Sequence, residues 1–271
     1  MCRWLAYSGA PLRVEELLYR PKHSLIDQSM NAKLSRHTTN GDGFGLGWYD
    51  DAGRAAIFHS TDPAWNDHNL RELADHLSTP LLFAHVRAST WAPVQQTNCH
   101  PFRYGNWLWM HNGSIADWGR VKRELQFAVD PELFPFIEGS TDSETFFYLA
   151  LTHGLEDDPP GAVARAVAVI ESVTTIQMAV AVTDGVSIWA FRYATAERGE
   201  PVSLFFSADI DSLRELYPDT LLFRRLDEEA RLIVSEPLSD LPGAWHEVPP
   251  GSWGVVQPGA DELHSFEPMP A

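Results

Sequence analysis

The sequence predicts a layered α+β protein. Three observations carry this expectation. Short apolar runs mark strands in the first third, helical periodicity dominates the middle, and strand patterns return from Thr175 onward. No repeat of about 20–50 residues is visible, so a solenoid is not expected. No linker-like stretch splits the 271 residues. One domain over 1–271 is therefore expected, although a typical size of about 150 residues would allow two.

The elements follow in order. Arg3 to Ser8 reads as a strand. Val14, Leu17 and Leu18 form a helical stripe that stops at Pro21. A polar, Gly-rich loop runs from Arg36 to Gly43. Phe44–Tyr49 and Arg54–His59 flank Asp50-Asp51-Ala52-Gly53, a hairpin signal. Leu70–Leu77 reads as a helix, and the apolar runs Leu81–Val86 and Asn106–His111 as buried strands. Asp117 is expected to cap a helix towards Ala128, with Val121, Leu125 and Val129 at helical spacing. Thr141 and Glu144 have capping-box spacing ahead of a helix Ser143–Leu151. Pro159-Pro160-Gly161 opens a helix to Ile170. Strands are expected at Thr175–Thr183, Val186–Tyr193, Leu204–Ala208 and Arg231–Val234. From Ser235 on, seven prolines predict a loop-rich segment that wraps the surface.

Composition narrows the function classes. There are 20 basic and 37 acidic residues, for a net charge of −17 with His neutral. Such a balance argues against a phosphate backbone or an anionic membrane as partner. Only Cys2 and Cys99 are present, which excludes a disulfide scaffold. No metal-ligand spacing is found, and neither a metal nor an organic cofactor is expected. No apolar run approaches the ~18 residues of a membrane span. Arg3, Arg13, Glu15 and Glu16 rule out a signal-peptide core, so a cytoplasmic location is expected.

Five stretches have residue types suited to chemistry. Met1-Cys2-Arg3 places a thiol second, and removal of Met1 would give Cys2 a free α-amine. An α-amine titrates at about 7.7–8.0, so it can serve as base to its own thiol. Gly43, Gly45 and Gly47 alternate on one strand face, which lets another backbone or a ligand approach closely. Their spacing is not a dinucleotide fingerprint. Arg87, at the end of a buried strand, can pair bidentately with a carboxylate. His111-Asn112-Gly113 offers a side-chain amide and an unobstructed backbone N–H, the donors of an oxyanion hole. The same dipeptide also reads as a turn. Asp142 at a helix start can receive an ammonium or act in capping. Cys99-His100 is a poor nucleophile–base pair, because neighbours on an extended chain point apart.

Taken together and in this order, Met-Cys-Arg, His-x-Arg-x-x-Thr, Asn-Cys-His-Pro-Phe, His-Asn-Gly and Thr-Asp-Ser-Glu resemble the class II glutamine amidotransferases. The resemblance implies the N-terminal-nucleophile hydrolase fold, a four-layer αββα sandwich. Pro21-Lys22-His23-Ser24, Asn40–Gly45, Phe83–Thr90 and Gly139–Glu144 are similar to its stand-alone branch. That branch includes the amidotransferase-like subunit of yeast glutathione degradation and the γ-glutamyl hydrolase of ergothioneine synthesis. By position, Cys2 matches the nucleophile, and Asn112 and Gly113 match the oxyanion hole. Arg87 matches the residue for the glutamyl α-carboxylate and Asp142 that for its α-ammonium. Thr90 matches a hydroxyl lining the glutamyl site, and His111 precedes the oxyanion pair. Ala88 stands where biosynthetic members have an aromatic residue, and Trp91-Ala92 where some have His-Gly. Both departures bear on the leaving-group side, where Trp91, Ala92 and the loop Arg36–Asn40 are expected to form the rim.

The function this implies is hydrolysis of a γ-glutamyl amide, in glutamine, glutathione or another conjugate, through a Cys2 thioester. The partner would be a small γ-glutamyl substrate, with a peptidase subunit alongside. A glutaminase subunit feeding ammonia to a separate synthase is the second reading. A catalytically silent regulatory subunit is the third.

Overall fold

Along the first strand, β1 (Arg3–Arg13), side chains alternate between two interiors. Trp4 and Ala6 enter one apolar cluster, Leu5 and Tyr7 another. This alternation sets the layers of the fold. The computed structural model describes residues 2–34, 38–89, 91–257 and 260–270.

After β1 come α1 (Val14–Leu18), α2 (Leu25–Asn31), β2 (Phe44–Tyr49), β3 (Ala55–Ser60), α3 (His68–His76) and β4 (Ser78–Val86). The middle holds β5 (Phe102–Tyr104), β6 (Trp107–Ile115), α4 (Trp118–Phe127), α5 (Asp142–Thr152) and α6 (Pro159–Glu171). The last part holds β7 (Ile176–Thr183), β8 (Ile188–Ala194), β9 (Phe205–Ser207), α7 (Ile210–Leu216), α8 (Leu221–Arg225) and β10 (Arg231–Val234). It ends in β11 (Trp245–Glu247), β12 (Ser252–Gln257) and β13 (Ala260–Ser265).

Among the described residues, the strands form two sheets, ordered β11-β9-β10-β1-β4-β2-β3 and β13-β12-β8-β7-β6-β5. Neighbouring strands run antiparallel throughout. The sheets face each other across Trp4, Ala6, Phe83, Met110, Ala179 and Ala181, among others. Large rings on one sheet meet alanines on the other, which lets the two close to dense packing. Outside the first sheet, Leu5, Leu82 and Leu232 pack on α1, α2, α3, α7 and α8. Outside the second, Trp109, Met178 and Val180 pack on α4, α5 and α6. The result is the expected four-layer αββα sandwich. Among the described residues no helix is long and apolar enough to cross a membrane.

Several elements differ from the sequence expectation, each for a physical reason. The first strand continues beyond Ser8 to Arg13 through a register shift against β4. Helix α2 gave no periodic signal at seven residues, yet Ser24 caps it by accepting the Asp27 N–H. The strand expected at Asn106–His111 runs on to Ile115, because β7 pairs with it from Leu108 through Ile115. That ladder overrides the turn preference of Asn112-Gly113. Asp117 does sit at the N-cap of α4, but in left-handed backbone (φ 49°) and with no side-chain capping bond. Thr141 caps α5 as expected, accepting the Glu144 N–H. The Glu144 carboxylate turns instead to the N–H groups of Glu138 and Gly139. The C-terminal stretch is rich in loops but also carries three strands. β11 ends the first sheet, and β12 and β13 extend the second. Pro242 falls before β11, and Pro249 and Pro250 between β11 and β12, where no ladder N–H is needed.

Candidate active site

The register of the first sheet builds the site. Arg3 pairs with Val86, so the residue before Arg3 lies beside the chain leaving β4. Accordingly the Ala88 N–H donates to Cys2 Sγ at 3.4 Å, and Sγ lies 3.7 Å from the Ala88 carbonyl. A small pocket opens here, walled by Cys2 and by Arg87–Ser89 from this sheet. The second sheet and its helix layer contribute His111, Gly113, Ser114 and Thr141–Ser143. Trp91, Ala92 and His100 close the remaining side.

Arg87 is buried, with 4% of its surface exposed. Its guanidinium reaches the carbonyls of Asp42 and Ala92 and the Ser89 hydroxyl, each at 3.3 Å. Asp42 also accepts the Ser89 N–H at 2.8 Å, and the Arg87 N–H donates to Gly43 O. Among the described residues no carboxylate pairs with Arg87. A buried cation held only by neutral groups is costly unless a ligand anion completes it.

Asp142 is the first residue of α5, and its carboxylate accepts the N–H groups of Ile115 (2.8 Å) and Ser143 (2.9 Å). Those bonds, at a helix N-terminus, hold the carboxylate in place on the pocket wall. Arg87 and Asp142 thus present a fixed cation and a fixed anion to one small space.

Gly113 can only be glycine. A Cβ there would collide with the Gln177 carbonyl across the ladder, and φ is +143°. His111 packs behind it, with Nδ1 2.9 Å from Ser143 Oγ and Nε2 3.4 Å from Gln177 O. Burial pushes the His111 pKa down, against the Asp142 charge and the Gln177 carbonyl, which raise it. The Asn112 side chain does not line the pocket wall. It is buried beside Gly113, and neither amide atom has a hydrogen-bond partner. An unspent buried amide is a donor in waiting.

The remaining expectations are placed as follows. Thr90 lies outside the described residues, as do Met1 and the Arg36–His37 part of the expected rim. Thr38–Asn40 do not line the pocket, whereas Trp91 and Ala92 do. The alternating glycines of β2 take another backbone: a Cβ on Gly45 would strike the His100 carbonyl, and one on Gly47 would meet Pro101 at 2.7 Å. Cys99 is buried, and burial pushes its thiol up to about 11. His100 stacks on His85 at 4.3 Å, and burial followed by the Arg87 charge holds His85 at about 3. Both rings are therefore neutral at physiological pH. Among the described residues no group of three His, Cys, Asp or Glu is arranged to hold a metal ion.

Sequence reasoning missed Ala88 as a partner of the thiol, and Asp42 as the brace of Arg87. Backbone donors leave no mark in residue type. Asp42 lies in the glycine-rich stretch, 45 positions before Arg87, and nothing in the local sequence marks their contact.

The class II glutamine amidotransferase family model matches residues 28–270. The chain is 35% identical to the probable glutamine amidotransferase DUG3 of Saccharomyces cerevisiae, over 99% of this chain and 87% of that protein. It is also 35% identical to a gamma-glutamyl-hercynylcysteine sulfoxide hydrolase of Mycolicibacterium smegmatis, over 42% of this chain and 52% of that one. Among solved structures, a glutamine aminotransferase class-II domain protein from Silicibacter pomeroyi aligns with a TM-score of 0.73 and 28% identity. That alignment covers 99% of this chain and 100% of the other. The glutamine phosphoribosylpyrophosphate amidotransferase of B. subtilis shares the fold, with a TM-score of 0.66 and 16% identity over 98% of this chain and 49% of that one.

Proposed function

The chain belongs to the class II glutamine amidotransferases, and on that premise we propose that it hydrolyses γ-glutamyl amide bonds with Cys2 as nucleophile. The observation that carries this reading is the pocket's pair of opposite charges. A glutamyl head is a zwitterion. Arg87, buried and paired with no carboxylate among the described residues, suits its α-carboxylate, and Asp142 suits its α-ammonium.

The steps follow from the groups present. With Met1 removed, the α-amine of Cys2 takes the thiol proton and Sγ attacks the γ-carbonyl carbon. The carbonyl oxygen becomes an oxyanion, received by the Gly113 N–H and, once its unpartnered side chain turns from behind the wall into the pocket, by the Asn112 amide. The C–N bond then breaks, the α-ammonium protonates the departing amine, and a γ-glutamyl thioester remains. Water adds to the thioester, with its proton passing to the same amine. The C–S bond breaks, the thiol regains its proton, and glutamate leaves.

The same reading carries one amidotransferase domain over 1–271 and a reducing, cytoplasmic setting for the thiol. The likeness to a gamma-glutamyl-hercynylcysteine sulfoxide hydrolase favours a conjugate as substrate. The leaving group decides the partner. A peptide amine calls for a peptidase subunit, ammonia for a synthase.

The test is glutamate release by Met1-processed protein from glutamine, glutathione and a larger γ-glutamyl thiol conjugate. Release from a conjugate in preference to glutamine is expected. Preference for glutamine would support the ammonia-donating reading, and no release from any of the three would contradict a free-standing hydrolase.

A further inference from the structure

A buried charge cluster stands directly behind Cys2. Arg3 is 1% exposed, and its Nη1 donates to the Cys2 carbonyl at 2.8 Å. Its Nε donates to Glu236 Oε2 at 2.8 Å. Glu236, also 1% exposed, accepts three further bonds. His23 Nε2 lies 2.5 Å from Oε1, the Lys33 N–H 2.8 Å from Oε1, and the Leu34 N–H 3.0 Å from Oε2. Four donors therefore fill the carboxylate and hold it in one place, while Arg3 Nη2 is buried with no partner among the described residues.

We propose that Arg3, oriented by Glu236, is the positioning residue for the nucleophile. The reason lies in which atom Arg3 holds. An N-terminal nucleophile has no chain of consequence before it, so half of its usual backbone anchorage is missing. Its own carbonyl is the nearest fixed point, and Arg3 grips that carbonyl. Glu236 orients the guanidinium from a distant part of the chain, between β10 and β11. It also accepts the Lys33 and Leu34 N–H groups, which fixes the carboxylate that orients Arg3.

The proposal rests on the hydrolase reading for its kinetic arm only. Arg3→Lys, Arg3→Met and Glu236→Gln are compared with the parent, each verified for Met1 removal by intact mass and for folding by urea titration. Misplacing a reacting group by about 1 Å costs up to 100-fold, so kcat for glutathione or glutamine should fall about 10–100-fold in Arg3→Met. KM should stay within about twofold, because Arg87 and Asp142 are untouched. Arg3→Lys should fall between, since an ammonium can hold the carbonyl or Glu236 but lacks the fork to hold both. The second arm is the rate of Cys2 alkylation by iodoacetamide, read on the N-terminal peptide without substrate. It should slow severalfold in Arg3→Met and Glu236→Gln, because the loosened arm loses the Ala88 N–H that meets Sγ.

Unchanged kcat and unchanged alkylation in folded variants would overturn the proposal. So would a loss of kcat that tracks only the loss of folded protein, because the role would then be structural. Slowed alkylation in variants of a parent that releases no glutamate would leave this inference standing and sink the hydrolase reading instead.

Discussion

Arg87 and Asp142 line the same pocket with opposite charges, and they form no ion pair with each other. Asp142 spends its oxygens on the Ile115 and Ser143 N–H groups, and Arg87 spends its donors on carbonyls and a hydroxyl. Were the two paired, a substrate zwitterion would have to break that pair to bind. Held apart, each keeps its charge for the ligand.

Arg87→Ala is predicted to lower kcat/KM for every γ-glutamyl substrate by a similar factor. Truncating one side of a buried charge pair costs about 2–5 kcal/mol. Arg87→Lys should recover little, since an ammonium lacks the planar fork. Selective loss for one leaving group, measured across the same substrates, would place Arg87 on the other side of the scissile bond.

Asn112 and Gly113 should separate function from stability. Removing one oxyanion donor costs about 10²–10³ in kcat. Asn112→Ala should show that loss with little change in urea midpoint, because the amide has no partner to forfeit. Gly113→Ala should lower the midpoint as well, because its Cβ meets the Gln177 carbonyl at positive φ. An active Asn112→Ala variant would remove Asn112 from the mechanism.

The Glu236 cluster predicts acid sensitivity. Burial opposes ionisation of Glu236, but bonds from His23, Lys33 and Leu34 and the Arg3 charge outweigh it and hold the carboxyl at about 2. A depressed carboxyl stabilises the fold above its ordinary 4.5, and the contribution is lost as pH falls towards 2. Burial likewise opposes the charge on His23, but bonds to Glu236 and Asp27 raise its pKa above 6.5. Its contribution is full below 6.5 and fades as pH rises through the raised value. The stability gap between parent and Glu236→Gln should be on the order of 2–3 kcal/mol near pH 6 and narrow below 4.5. Urea midpoints across that range test it, and a gap that stays constant would contradict it.

Cys99 should be chemically quiet. Burial holds its thiol near 11, so iodoacetamide at pH 8 should label Cys2 and spare Cys99 in the folded protein. Cys99→Ala should retain activity. Peptide mapping that finds Cys99 modified first would contradict this.

Much of this was legible in the sequence. Leu81–Val86 declared itself by a continuous apolar run, and helix α6 by its Pro-Pro-Gly opening. Arg87, Asp142 and Gly113 stood in short motifs whose residue types already named their chemistry. Other parts were decided by tertiary contact. β7 draws Asn112-Gly113 into a ladder although the dipeptide reads as a turn. β12 and β13 gain their strand character from pairing at a sheet edge, not from composition. Arg3 and Glu236 are separated by 233 positions, and an ion pair at that distance leaves no local pattern.

The central claim is a γ-glutamyl thioester on Cys2. Its most direct test is acid quench of Met1-processed protein during turnover of glutathione or glutamine, followed by mass mapping of the N-terminal peptide. The account predicts a γ-glutamyl group on Cys2, and neither adduct nor glutamate release in Cys2→Ala. Glutamate release that persists in Cys2→Ala would contradict it.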